Sequence, residues 1–351
     1  MASQDQHLLM LGMINVSFIA SALFDERANT VKLVDKIDSP FSPDWVTRHP
    51  VHCDLVYAAC REDWKGQICL IQVSPEGKLA IIDEADSGLS DPAAMEMLPD
   101  CSGIVAAHFL GGGVTVMPLS EDGRFQQPKR THTFMPAYTP QTHKRQDAPH
   151  SHHVVVHQGE IIVPDQGSSR VWRLGYSPSQ GLKLLGPIDH FEEADGPRHV
   201  ALHPNGKFIY VLNETSSILS VHTFPPPGSD SSCLARVPMH PPSDAENALG
   251  APMMSSEIIL TNGNIVCTNR DSPNPEMDAI AIFAANDDGS LGTPSFIWPG
   301  MKHVRALSAS PDDRFICVAG RDAGGLTVYD QRWNVRGRLD LDNVAIPVWM
   351  E

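Results

Sequence analysis

Long apolar runs are missing from this sequence of 351 residues. None approaches the ~20 residues of a membrane-spanning helix, so no span is expected. The opening Met1-Ala-Ser-Gln-Asp-Gln6 has neither the basic stretch nor the apolar core of a secretory leader. Basic residues are scarce: 26 Lys and Arg stand against 42 Asp and Glu, a formal charge of −16. Such a chain is a poor ligand for phosphate backbones and anionic membranes, and neither nucleic acid nor membrane is an expected partner. The seven cysteines, at positions 53, 60, 69, 101, 233, 267 and 317, form no Cys-x-x-Cys pair, and several lie in apolar strand-like runs. Free buried thiols in a reducing compartment are expected, and the expected location is cytoplasmic. Helical periodicity is hard to find, and no Gly-x-Ser-x-Gly elbow is present, which argues against a serine-hydrolase triad. Disorder is excluded, because 42% of the residues are hydrophobic and only 19% charged.

What recurs is β-strand punctuated by turns. Pro197-Arg-His-Val-Ala-Leu-His-Pro-Asn-Gly-Lys-Phe-Ile-Tyr-Val-Leu-Asn-Glu214 aligns without a gap, from Arg198 and Arg305 onward, with Val304-Arg-Ala-Leu-Ser-Ala-Ser-Pro-Asp-Asp-Arg-Phe-Ile-Cys-Val-Ala-Gly-Arg321. Pro-Asn-Gly and Pro-Asp-Asp are turn chemistry between two alternating strands. Weaker copies run from Pro43 through Arg61 to Val73, over Gly103–Met117, over His152–Leu174 and over Ser256–Phe283, giving six units at spacings of about 40–60 residues. A seventh is split between the termini, with Ala345–Met350 joining Leu8–Gly12, Phe18–Phe24 and Val31–Val34. This periodicity predicts an all-β, seven-bladed β-propeller over residues 1–351, a single domain closed by its two ends. Segments 126–149 and 225–253 are too long for tight hairpins and are expected over one face of the ring.

Pro149-His-Ser-His-His-Val154, Gly196-Pro-Arg-His199 with Asn213-Glu214, and Ser256-Glu-Ile-Ile-Leu260 with Thr268-Asn-Arg270 give the chain its resemblance to the lactonase-type seven-bladed propellers. That family includes bacterial 6-phosphogluconolactonase and fungal carboxy-cis,cis-muconate lactonizing enzyme. The resemblance implies a site of His152, Arg198, Glu214 and Arg270 at one mouth of the channel, with no metal and no cofactor. Departures at Cys60-Arg61, Asp91-Pro-Ala-Ala-Met95 and Gly320-Arg321 bear on the substrate more than on the fold.

The repeat itself aligns Arg61, His108, Gln166, Glu214, Arg270 and Arg321 just after the second strand of successive units. Equivalent strand ends point to one mouth of the ring, so these residues are candidates to bind a small molecule, with Asn269 and Trp45 beside them. Arginine forks hold carboxylate, phosphate or enolate oxygens; equally, each can clasp a neighbouring acid such as Asp271 or Asp322. Arg305 shares the first-strand position of Arg198. His152 lies in a run with His143, His150, His153 and His157, and acid–base work, packing and metal binding with His150 are all open to it. The expected function is acid–base opening or closing of a ring on an anionic or enone-like substrate, with arginines holding developing charge and His152 and Glu214 moving the proton. A natural-product cyclase or pericyclase, such as a hetero-Diels–Alderase, is the alternative, with Met253, Met254, Phe109 and Trp45 near the mouth. A non-catalytic scaffold is the third reading.

Overall fold

Short apolar runs explain why this chain builds sheets: in Phe208–Asn213 and Leu55–Arg61 almost every residue is buried, as in strands covered on both faces. The computed structural model describes residues 5–62, 64–127, 129, 131–139, 141, 143–242 and 254–351. Their strands form seven antiparallel sheets of four strands each, arranged as a seven-bladed propeller. The blade closing the ring pairs Val344–Trp349 with Gln6–Met13, followed by Phe18–Asp25 and Thr30–Asp38. Joining the two ends in one sheet closes the ring, so the first strand Val344–Trp349 and the outer strands come from opposite ends of the chain. Among the described residues no helix is long and apolar enough to cross a membrane.

The first strands of the blades are Pro43–Arg48, Pro92–Met97, Val155–His157, Pro197–Leu202, Met254–Thr261, Lys302–Ala309 and Val344–Trp349. First strands of neighbouring blades touch one another, except that Pro197–Leu202 meets the second strand of the third blade, Glu160–Asp165, so the first strands line the channel. The apolar core lies between blades, where, for example, Tyr210, Leu212, Ile265, Cys267 and Phe283 pack together fully buried.

Two expectations need correction. Segments 126–149 and 225–253 are not only face-covering loops, because they contribute outer strands His132–Phe134 and Cys233–Pro238 to their blades. The unit at Gly103–Met117 also has a first strand, Pro92–Met97, which its Ala and Met residues had concealed. Met253 lies outside the described residues.

Candidate active site

A shared irregularity of the first strands builds the floor of the site. In six blades the pairing register slips near the start of this strand, as in a β-bulge. The extra residue is Asp44, Ala93, Arg198, Arg305 or Ala345, and in the remaining case Ser256–Glu257 face Thr268. Proline precedes three of these residues (Pro43, Pro92 and Pro197), as suits a strand start with a missing ladder bond. Gly196 makes the entry to Arg198 possible. Its φ is +66°, and a Cβ there would lie 2.7 Å from Thr215 Oγ1. Side chains at these bulges, with His152 of the third blade, ring a small chamber on the channel axis.

Above that floor opens a cavity of about 610 Å³ that includes His152, Arg198, Glu214, Arg270, Arg61 and Arg305 in its wall. Glu214 follows the second strand of the fourth blade and is almost fully buried. Its carboxylate lies 2.7 Å from Arg198 Nε, 3.1 Å from an Arg270 terminal nitrogen and 2.8 Å from one of Arg145. Burial pushes this carboxyl up, but Arg270, Arg198 and Arg145 together outweigh it and hold it at about 2. A carboxylate so held is a poor proton acceptor at neutral pH. The arrangement suits Glu214 as an anchor for the arginines. Arg270 donates to the Ser255 carbonyl at 3.0 Å, while its Nε–H is buried without a partner. Burial, with Arg270 next, lowers Arg198 to about 9, still charged at neutral pH.

His152 is buried, with Nδ1 unpartnered. Burial, then Arg198 and His199, depresses its pKa well below the usual 6.5, so the neutral imidazole prevails at pH 7. Its neighbour His150 is engaged elsewhere, on the Phe109 carbonyl and Asp147. Among the described residues no group of three His, Cys, Asp or Glu side chains is placed to hold a metal ion.

A second layer braces Arg198. The guanidinium donates to His199 Nε2 at 2.8 Å, and His199 Nδ1 lies 2.6 Å from a Glu257 oxygen. Because arginine only donates, His199 must accept at Nε2 and carry its proton on Nδ1, donated to Glu257. Trp45 and His153 pack against the His199 ring, and Trp45 Nε1–H donates to the Met95 carbonyl at 2.9 Å. Trp45 is thus a wall of the lower chamber and is not in the lining of the main cavity.

The remaining sequence candidates divide according to their partners. Arg61 reaches the cavity but is clamped by Asp91, at 2.8 Å, and by Asp44, at 2.9 Å, which also holds Arg305 at 3.2 Å. Arg321 is not in the lining; it pairs with adjacent Asp322 at 3.0 Å. His108 is buried between the Ser90 carbonyl and Thr115 Oγ1. Gln166 is turned to Thr215, and Asn269 donates to the Met239 carbonyl at 2.5 Å. None of the three lines the cavity, because each satisfies a buried backbone or side-chain group instead. Met254 pairs with Arg270 across the sheet and is likewise absent from the lining.

Sequence reasoning missed Asp44, Asp91, Arg145, His199 and Glu257. Asp44 had a usable signal, since Pro43-Asp44 stands where Pro197-Arg198 does. His199 and Glu257 lie inside the very segments that carry the family resemblance.

Known proteins are similar over nearly the full length. The 6-phosphogluconolactonase of Bacillus subtilis (strain 168) is 23% identical over 301 residues, covering 84% of this chain and 82% of that protein. The crystal structure of a protein from Lactobacillus plantarum superposes with a TM-score of 0.85 at 19% identity, covering 99% of this chain and all of the other. The periplasmic gluconolactonase of Pseudomonas aeruginosa gives a TM-score of 0.82 at 20% identity, covering 98% and 99%. The model of the family "Lactonase, 7-bladed beta-propeller" matches residues 12–348. Because that match runs through every blade described above and through the arginine–glutamate cluster at the channel mouth, the chain belongs to the lactonase family of seven-bladed β-propellers.

Proposed function

We propose that this protein hydrolyses a lactone, with the arginine pair Arg198 and Arg270 holding the carbonyl oxygen and His152 moving the proton. The observation that carries this reading is the partnering of the cluster. Three guanidiniums converge on one buried carboxylate, and two of them, Arg198 and Arg270, belong to the cavity wall. Guanidiniums fixed in a cavity wall by a shared carboxylate suit an oxygen on which negative charge develops.

In this mechanism water attacks the lactone carbonyl and gives a proton to neutral His152. The electrons of the C=O bond move to the oxygen, which is held by the guanidiniums. Collapse of the tetrahedral intermediate breaks the ring C–O bond, and the departing alkoxide takes the proton from His152. The product is a hydroxy acid, which releases its carboxyl proton to solvent and leaves its carboxylate facing the same forks. Glu214 keeps the forks in place. Ring closure of a hydroxy acid would use the same groups in reverse. All seven cysteines are free, which supports placing the enzyme in a reducing, cytoplasmic setting.

The test is lactone turnover by His152→Ala, Arg270→Ala and Arg270→Lys, with melting curves as the folding control. Loss of one preorganised donor costs ~10²–10³ in rate, and lysine should not restore it because a point charge cannot replace the planar fork. Folded Arg270→Ala with wild-type turnover would refute the mechanism.

A further inference from the structure

Resting on the lactonase reading, we propose that the substrate carries its lactone on a bulky apolar arm and is not a phosphorylated sugar. The two sides of the cavity differ. Arg198, Glu214 and Arg270 come from the fourth and fifth blades. Across the ring, turns of the seventh, first and second blades supply Ile14, Phe41, Trp64, Phe109 and Leu110. Phe41, Trp64 and Leu110 are exposed although large and apolar, and Trp64 reaches 87% exposure. Scattered singly such residues need no explanation; gathered at the mouth of a charged cavity they mark a binding surface.

The charges of the lining point the same way. Arg61, Arg198, Arg270 and Arg305 are matched by Asp44, Asp91, Glu214 and Glu62. The Arg61 fork is taken up by Asp91 and Asp44, and Arg305 also lies on Asp44. A phosphate dianion would therefore enter a wall whose positive charge is already compensated, beside four carboxylates. Sugar hydroxyls fare no better. The neutral hydrogen-bonding side chains in the lining are Asn15, Ser42, His152 and the indole N–H of Trp64; His152 is assigned to the lactone, and Ser42 Oγ already accepts from the Asn15 backbone N–H at 3.1 Å. One polar oxygen head and an apolar arm fit this division: the head lies on the Arg198–Arg270 side, the arm against Phe41, Trp64 and Leu110.

The experiment compares kcat/KM for δ-valerolactone, δ-decalactone, δ-dodecalactone and 6-phosphoglucono-δ-lactone. It also measures, by calorimetry, binding of the ring-opened acids 5-hydroxydodecanoate and 6-phosphogluconate. The expected result is a rise of roughly two- to fourfold per buried methylene along the alkyl series, with the phosphosugar lactone poorest. Trp64→Ala and Phe41→Ser should each lower the ratio of δ-dodecalactone to δ-valerolactone turnover tenfold or more. Trp298→Ala, removing an exposed tryptophan elsewhere, should leave that ratio unchanged. Preference for the phosphosugar lactone, or a flat alkyl series, overturns the substrate class while the lactonase reading stands. No lactone turnover, with 5-hydroxydodecanoate still bound more tightly than 6-phosphogluconate, upholds the substrate class and overturns the lactonase reading. No turnover and no such preference in binding overturns both.

Discussion

Glu214→Gln separates an anchoring carboxylate from a catalytic base. The substitution keeps the side chain's shape but leaves Arg198, Arg270 and Arg145 around a neutral amide. In the folded protein the carboxyl is held at about 2, against an ordinary 4.5, which corresponds to about 3 kcal/mol of stabilisation at neutral pH. Breaking a buried ion pair typically costs about 3–5 kcal/mol, the same order. For a chain of this length the melting temperature should fall by about 4 °C. The sign with pH is fixed. A depressed carboxyl contributes its full stability above 4.5 and loses it as the pH falls toward 2, so the gap between wild type and variant should close over that range. Turnover should fall as well, by up to ~10²–10³, because the Arg270 and Arg198 forks lose their common brace. The acid limb of the kcat/KM profile should nonetheless persist in the variant, since it belongs to His152. That limb should lie well below pH 6.5, because burial and Arg198 hold the imidazole neutral. Melting curves across pH and pH–rate profiles of both proteins provide the check. A variant that melts like wild type, or one whose acid limb vanishes, would refute the anchor assignment.

The other predictions concern stability. Arg61→Ala should lower the melting temperature by about 4–7 °C, since it strands buried Asp91 and half-strands Asp44 at a cost of about 3–5 kcal/mol, whereas Arg321→Ala, on a surface pair with Asp322, should stay within about 0.5 kcal/mol; equal effects in a denaturant titration would contradict the pairing described. Burial holds His108 and His222 down to about 4, so below pH 6.5 the unfolded chain binds protons that the native one refuses. Each then removes about 2 kcal/mol of stability by pH 5. His152, His153 and His199 act in the same direction, while the raised carboxyls of Asp44 and Glu257 oppose it. The melting temperature should be at least about 5 °C lower at pH 5 than at pH 7.5, and a flat profile would count against buried neutral imidazoles.

Much of this architecture is legible in the sequence because a propeller repeats itself. Strand, turn and strand recur about every 40–60 residues, so tracing the unit seen at Arg198 and Arg305 along the chain carried the blade order and the split seventh blade. The same alignment also predicted too large a ring of site residues. Arg61, His108, Gln166, Glu214, Arg270 and Arg321 share a place along the second strand, and the shared place fixes which end of the ring they approach. It does not fix what stands opposite each one. Arg61 faces Asp44 and Asp91, supplied by the first strands' ends of its own and the next blade. Arg321 meets its own neighbour Asp322, and His108 turns in to Thr115 on the next strand of its sheet. Apart from Asp44, these partners stand at places up to 30 residues away whose spacing carries no repeat signal. The bulge on the first strand is different. It is a local backbone event, it recurs in six blades, and it is preceded by proline in three. Asp44, Arg198 and Arg305 are therefore one position read in three blades, a position at which the repeat sets the side chain on the channel axis while the residue type sets its charge. At that position Asp44 takes up Arg305 across the ring, while Arg198 is taken up by Glu214, the carboxylate it shares with Arg270 and Arg145.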